Sequence, residues 1–417
     1  MTLIQRTTCR TQELRAMALS SGFGIVLTFF FLFRVFEAND TALPPKFFNV
    51  LDYGAVADGK TDNSEAFLEA WKYACEYDGR SGVVVPLGTF MLGSVTFQGL
   101  CKGSMEFLIK GTLQAPTDSS KFFTDTWIGF QYLDDLTVEG GGSLDGQGSA
   151  AWGFNDCAEN SKCSPLPATL RFNFVNNSRI QNVQSINSKN AHFNLFACNN
   201  MNISHVKVMA PANSPNTDGI HIGSSQKIQI SQSTIGTGDD CIAMIAGSQN
   251  IDIFDVICGP GHGISVGSLG RDHENDYVQG LSIRNCTFTG TENGVRIKTW
   301  SPSLNSLASD MRFEDIFMQN ASNPIIIDQD YCPRSPCTPE GQSISGVQIK
   351  NVTFKNIWGT SSSKIAVNLE CSKRVPCQKI EFVDINLVHS GPDGPATSRC
   401  ANVIDSSYAK QMPPGCV

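Results

Sequence analysis

Seven short segments carry one pattern: Ile180-Gln-Asn-Val183, Ile203-Ser-His-Val206, Ile253-Phe-Asp-Val256, Ile283-Arg-Asn-Cys286, Phe313-Glu-Asp-Ile316, Ile349-Lys-Asn-Val352 and Phe382-Val-Asp-Ile385, with a looser copy at Ile230. The first anchors stand 23, 27, 23, 30, 30, 36 and 33 residues apart. Around each anchor the residues are β-branched or aromatic, alternate in and out, and end in Asn or Gly turn material, so each unit is read as strand. No helical pattern separates the units, which rules out strand–helix–strand crossovers. Repeats of this length that cannot bury an apolar face alone must stack, and the expected fold is an all-β parallel β-helix whose coils supply one another's core.

The chain before the array is different. Residues 48–53 are expected as a strand, Asp58-Gly59 as a turn, and residues 63–77 as an amphipathic helix with Asp62 at its N-cap. A stack of coils leaves its first coil bare, and this helix is the candidate cap. Gly142 and the run Asp145-Gly-Gln-Gly148 mark tight turns, and residues 157–167 a side loop. No linker is evident, so residues 39–417 are read as a single β-helix domain.

Arg6, Arg10 and Arg15 precede an uncharged stretch that is greasiest at residues 23–33. A basic start followed by a short apolar core is the form of a secretory signal peptide, assigned to residues 1–38 and cut near Ala38, although Phe36 fits the small-residue rule poorly. Cys9 would leave with the signal. Of the 15 cysteines, 14 would then remain, an even number expected to be oxidised, with Cys157/Cys163, Cys332/Cys337, Cys371/Cys377 and Cys400/Cys416 as local pairs. None of these pairs has the tight spacing of a zinc site. Sequons at Asn39, Asn176, Asn202, Asn285, Asn320 and Asn351 fit an extracellular, glycosylated surface.

A chain of 417 residues with 41% apolar and 17% charged content can bury a large core. Its net charge of −8 and pI near 5.3 argue against a nucleic-acid or membrane-surface binder, which needs a basic face. A few placed cations can still bind an acidic ligand locally.

Polar residues that break the apolar pattern gather between 216 and 298: Asn216-Thr-Asp218, Gly238-Asp239-Asp240, Gly261-His262-Gly263 and Arg296-Ile-Lys298. Alone, each has a plainer reading as a turn or a solvated strand face. Their spacing changes that. Asp218 to Asp239 is 21 residues and Asp240 to His262 is 22, each about one coil. Equivalent positions on stacked coils lie about 4.7–4.9 Å apart, so the acids should form one cluster in which like charges raise one pKa. A protonated carboxyl beside a carboxylate is what glycoside hydrolysis requires. Arg296 and Lys298, two apart on a strand, face the same way and suit a substrate carboxylate.

Together, Asn216-Thr-Asp-Gly-Ile-His-Ile222, Gly238-Asp-Asp-Cys241, Gly259-Pro-Gly-His-Gly-Ile-Ser265 and Arg296-Ile-Lys298 resemble the polygalacturonase family of pectin-degrading glycoside hydrolases in its plant form. The resemblance runs from Phe48 to Cys416. It implies a right-handed parallel β-helix and a secreted enzyme that hydrolyses α-1,4 bonds between galacturonic acid units with inversion. By motif position Asp239 would be the general acid, Asp218 and Asp240 would activate water, and His262 would support them. Asn216, Arg296, Lys298 and Tyr331 would contact substrate. The inverting outcome sets an expectation that Asp239 lies roughly 6.5–9.5 Å from at least one base carboxylate. No cofactor or metal is implied, the partner is pectin, and a monomer free of stable membrane association is expected. The alternatives are a hydrolase of rhamnogalacturonan or xylogalacturonan, a calcium-dependent lyase on the same fold, and a non-catalytic pectin-binding wall protein.

Overall fold

The computed structural model describes residues 43–416 apart from 156–159, 161–162, 272–273 and 334–343. The expected signal peptide, Asn39, Cys157 and Cys337 lie outside the described residues. Residues from Leu43 onward form one compact unit, in which the thirty strands among the described residues join in one continuous parallel sheet. It winds as a right-handed β-helix, the sense that parallel connections take.

Ile180, Ile203, Ile230, Ile253, Ile283 and Phe313 pair in direct register from coil to coil, all buried. The third residue of every quoted segment is left-handed: Asn182 at φ 51°, His205 at 54°, Asp255 at 57°, Asn285 at 50°, Asp315 at 55°, Asn351 at 55° and Asp384 at 53°. Each turns the chain round a corner, and Asn, Asp and His tolerate that conformation best among residues with a Cβ. Exposed amides tie corners together, as where Asn285 Nδ2 donates to Asp255 and Asn356 Nδ2 to Asp315.

One anchor of the repeat is displaced. Phe313 stacks not on the coil position of Ile349 but on Phe354, which then pairs with Phe382, and Phe382 with Tyr408. The rings lie 5.1, 5.1 and 5.4 Å apart and nearly parallel. From Phe313 onward each coil has two left-handed corners. Asn351 and Asn356 are both corners, so Ile349-Lys-Asn-Val and Phe354-Lys-Asn-Ile both satisfy the pattern, and ring stacking selects the second.

The cap helix, α1, spans Ser64–Cys75, shorter than expected at both ends, with Asn63 rather than Asp62 at its N-cap. Asn63 is drawn into the fold, because its amide donates to Val56, Thr61 and Met91 carbonyls. Asp62 instead accepts from the Ser64 backbone and hydroxyl. Ala66, Phe67, Ala70, Trp71 and Ala74 form the buried stripe. Trp71 packs 5.0 Å from Phe97 and donates its indole N–H to the Gln98 carbonyl, closing the first coil.

Cys371–Cys377 and Cys400–Cys416 are bonded as expected, joined by Cys75–Cys101 and Cys241–Cys258. Cys163 and Cys332 are also in disulfides. The expectation of complete oxidation fails at Cys198 and Cys286, which are free and buried. Burial pushes their thiols up to about 11 and about 12, leaving them unreactive packing groups.

Candidate active site

Four successive strands build one outward face: Ile220–Gly223, Ile242–Met244, Ile264–Leu269 and Asn293–Trp300. His221, Ala243, Ser265 and Arg296 pair across them in a single row. Asp218, Asp239 with Asp240, and His262 occupy the turns that lead into the first three. The one-coil spacing in sequence thus becomes adjacency in space. Small residues permit the close stacking of these turns: a Cβ on Gly238 would sit 2.1 Å from the Ser214 carbonyl oxygen, and one on Gly261, at φ 145°, 2.6 Å from that of Asp239.

Asp240 is almost fully buried and its carboxylate accepts three hydrogen bonds. Oδ1 accepts from Ser265 Oγ at 2.7 Å and from an Arg296 terminal nitrogen at 2.8 Å, and Oδ2 accepts from Lys298 Nζ at 2.8 Å. Ser265 Oγ in turn accepts from Arg296 Nε at 3.0 Å. The two cations therefore pair with a protein carboxylate, while Lys298 Nζ also lies 5.3 Å over the Tyr331 ring. Tyr331 sits edge-on to Trp300 at the end of the neighbouring strand. Asn216 is exposed in a left-handed turn two residues before Asp218.

Asp239 Oδ1 accepts the Asp240 backbone N–H at 2.8 Å and lies 3.0 Å from His262 Nδ1. His262 is held between two carboxylates, since its Nε2 lies 3.3 Å from Glu292. The bond to Asp239 raises the imidazole against the opposing effect of burial, and the Glu292 charge adds to the rise. Burial alone would raise Asp239. The bond and charge of His262, with Lys298, outweigh it and hold Asp239 below the usual carboxylate range. Asp218 goes the other way. Burial and the Asp239 charge raise it, and its bond to His221 Nδ1 at 2.9 Å only partly offsets that. His221 itself is lowered by burial but raised on balance by Asp218. Oxygens of Asp239 and Asp240 and a nitrogen of His262 lie within 4.8 Å of one another, so Asp240 lies closer than the 6.5–9.5 Å window and that expectation now rests on Asp218.

Sequence reasoning gave no role to His221, Ser265, Glu292 or Asp328. His221 stands three residues after Asp218 inside a quoted motif, which was a usable cue. Glu292 had none, because a variable loop sets which residue it meets. Asp328 pairs in register with Lys298, and burial pushes it up to about 6.

A buried carboxylate clamp beside an acid–imidazole pair, on the face of a parallel β-helix, defines a hydrolase-type site. Residues 75–410 match the profile of glycosyl hydrolases family 28. The chain belongs to that family and is a pectin-degrading glycoside hydrolase of the polygalacturonase type. An exopolygalacturonase of Platanus acerifolia is 47% identical over 88% of this chain and 96% of its own. A polygalacturonase of Gossypium barbadense is 45% identical over 94% and 96%. Among solved structures, an endo-xylogalacturonan hydrolase from Aspergillus tubingensis aligns at a TM-score of 0.72 with 23% identity, covering 87% of this chain and 99% of that one, a likeness of fold.

Proposed function

We propose that the chain hydrolyses α-1,4 bonds between galacturonic acid units of pectin with inversion, with Asp239 as proton donor and Asp218 and Asp240 positioning and deprotonating water. The carrying observation is the His262–Asp239 bond beside the buried Asp240 clamp. His262 and the Asp240 backbone N–H hold Asp239 Oδ1, and Asp239 Oδ2 carries no hydrogen bond among the described residues, so the acidic proton of the carboxyl is carried on Oδ2. That oxygen is the one free to meet the glycosidic oxygen. The proton passes to the leaving group as the carbon–oxygen bond breaks, while water adds to the opposite face of the sugar and gives its proton to a base carboxylate. Three hydrogen bonds already on its oxygens make Asp240 a poor nucleophile, while the remaining lone pair on Oδ2 can hold the attacking water. Arg296 and Lys298 retain further N–H donors for a substrate carboxylate, and Asn216 and Tyr331 line its approach.

A second reading exchanges two roles: Asp218 donates and Asp239 accepts. The raised Asp218 and lowered Asp239 favour it. A galacturonide with an activated aryl leaving group separates the two, because a variant lacking the general acid keeps activity on it. Asp239→Asn should retain turnover of that substrate and lose it on polygalacturonate, and Asp218→Asn should lose both. The reverse pattern would install the second reading.

The working setting is proposed to be the cell wall, reached through the signal peptide of residues 1–38, with residues 39–417 as a monomeric catalytic domain. No helix among the described residues is long and apolar enough to cross a membrane. Asn285, Asn320 and Asn351 are exposed and open to glycosylation. Reducing-sugar release from polygalacturonic acid, measured with EDTA and with Asp239→Asn alongside, tests the whole. Release that survives EDTA, yields no unsaturated ends and vanishes in the variant is expected. A calcium requirement or unsaturated ends would replace hydrolysis by elimination.

A further inference from the structure

Three aromatic rings stand in solvent on the N-terminal side of the catalytic row. Tyr132, Phe174 and Phe196 are 44%, 42% and 44% exposed. Tyr132 and Phe174 stack with centroids 5.1 Å apart and 15° between planes, and Phe196 meets Phe174 edge-on at 6.0 Å. They form a rail along the helix axis.

Register ties this rail to the catalytic face. Gln131, Asn173, Phe196 and Gly223 pair in succession, so Phe196 projects outward beside the strand that carries His221. Phe196 lies one strand, and Tyr132 three, from the strand led by Asp218, about 5 and about 14 Å along the axis. The neighbouring outward row runs Arg171, Asn194, His221. Arg171 pairs with Asp125 but keeps a buried Nε–H without a partner.

The rings sit where rings are disfavoured. Tyr132 and Phe174 occupy a left-handed turn position, at φ 55° and 54°, that the next two coils fill with Ala197 and Ser224. A bulky residue in that conformation is a strained choice, and strain of this kind concentrates at ligand sites. Amides and a guanidinium beside exposed aromatic rings match the chemistry of a pyranose, which offers hydroxyls at its edge and C–H groups on its face.

We propose that Tyr132, Phe174 and Phe196, with Asn173, Asn194 and Arg171, form an aromatic and polar platform for sugar units of the same galacturonan chain remote from the scissile bond. The proposal rests on the polygalacturonate reading above. Its occupant is fixed by continuity with the catalytic face.

The test compares Phe174→Ala and Phe196→Ala with the conservative Phe174→Tyr. In the catalytically silenced Asp239→Asn protein, polygalacturonate binding followed by affinity electrophoresis should weaken about tenfold with each alanine change, near 1.4 kcal/mol, and stay unchanged with Phe174→Tyr. With Asp239 intact, kcat/KM on polygalacturonate should fall similarly while trigalacturonate hydrolysis holds. Unchanged binding in both alanine variants would overturn the platform, as would equal losses on long and short substrates. Failure of the unmodified protein to hydrolyse polygalacturonate would refute the activity instead, and the binding arm would then still decide whether the rail holds the polymer.

Discussion

Lys298 and Asp240, fifty-eight residues apart in the chain, meet at 2.8 Å with under a tenth of either side chain exposed. A charge pair this dry is held by geometry and hydrogen bonds more than by net attraction, and removing one member strands the other.

Asp240→Asn should therefore destabilise the fold by about 3–5 kcal/mol, because Arg296 and Lys298 would face each other without a counter-charge. Urea unfolding measures the loss. Lys298→Met should cost clearly less in the Asp240→Asn background than alone. Additive losses would show that the pair is not coupled.

Turn packing makes a second prediction. Gly238 leads into Asp239 and faces the Ser214 backbone, so Gly238→Ala forces main chain apart rather than a flexible side chain. We expect about 1–3 kcal/mol of destabilisation and a fall in kcat out of proportion to it, because Asp239 moves with the turn. Unchanged kcat in the folded variant would mean that the turn has slack.

How much of this was readable beforehand follows from what each level depends on. The β-helix was legible because its apolar anchors and left-handed Asn or Asp corners recur locally. The misplaced Ile349 anchor shows the limit, since two corners of one coil look alike in sequence and only the stack of Phe313 on Phe354 separates them. Asp218, Asp239, Asp240 and His262 were legible because coil spacing maps to distance. Which cation meets which acid was not. Arg296 and Lys298 suit a substrate carboxylate or Asp240 equally well on paper, and Glu292 reaches His262 from a turn with no motif of its own.

Glu292 supplies a pH prediction. Its carboxylate helps hold the His262 imidazole above its ordinary value. Glu292→Gln lowers that pKa, so the imidazolium that pairs with Asp239 loses its proton at lower pH and the alkaline limb of kcat/KM moves toward acid. Because Glu292 is exposed and screened, the displacement should be less than about one unit. An alkaline limb that does not move, or moves the other way, would separate His262 from the working proton.

His192 sets how the fold itself responds to acid. It is fully buried, its Nδ1 lies 2.7 Å from Ser185 Oγ, and its Nε2 has no partner. Burial lowers its pKa to about 3. The folded protein thus keeps the ring neutral where the unfolded chain, near 6.5, would take up a proton. Between these values the unfolded state binds more protons, so stability is intact above about pH 6.5 and drains away as pH falls toward 3. By pH 4 the loss from this one residue approaches about 3 kcal/mol. His192→Asn keeps a group that can bond Ser185 yet cannot titrate, so its stability should fall less steeply between pH 6.5 and 4 than that of the unmodified protein. Urea midpoints across that range are the measurement. Parallel curves would mean that water or a neighbouring acceptor reaches Nε2 on protonation and that the acid limit of the fold lies elsewhere.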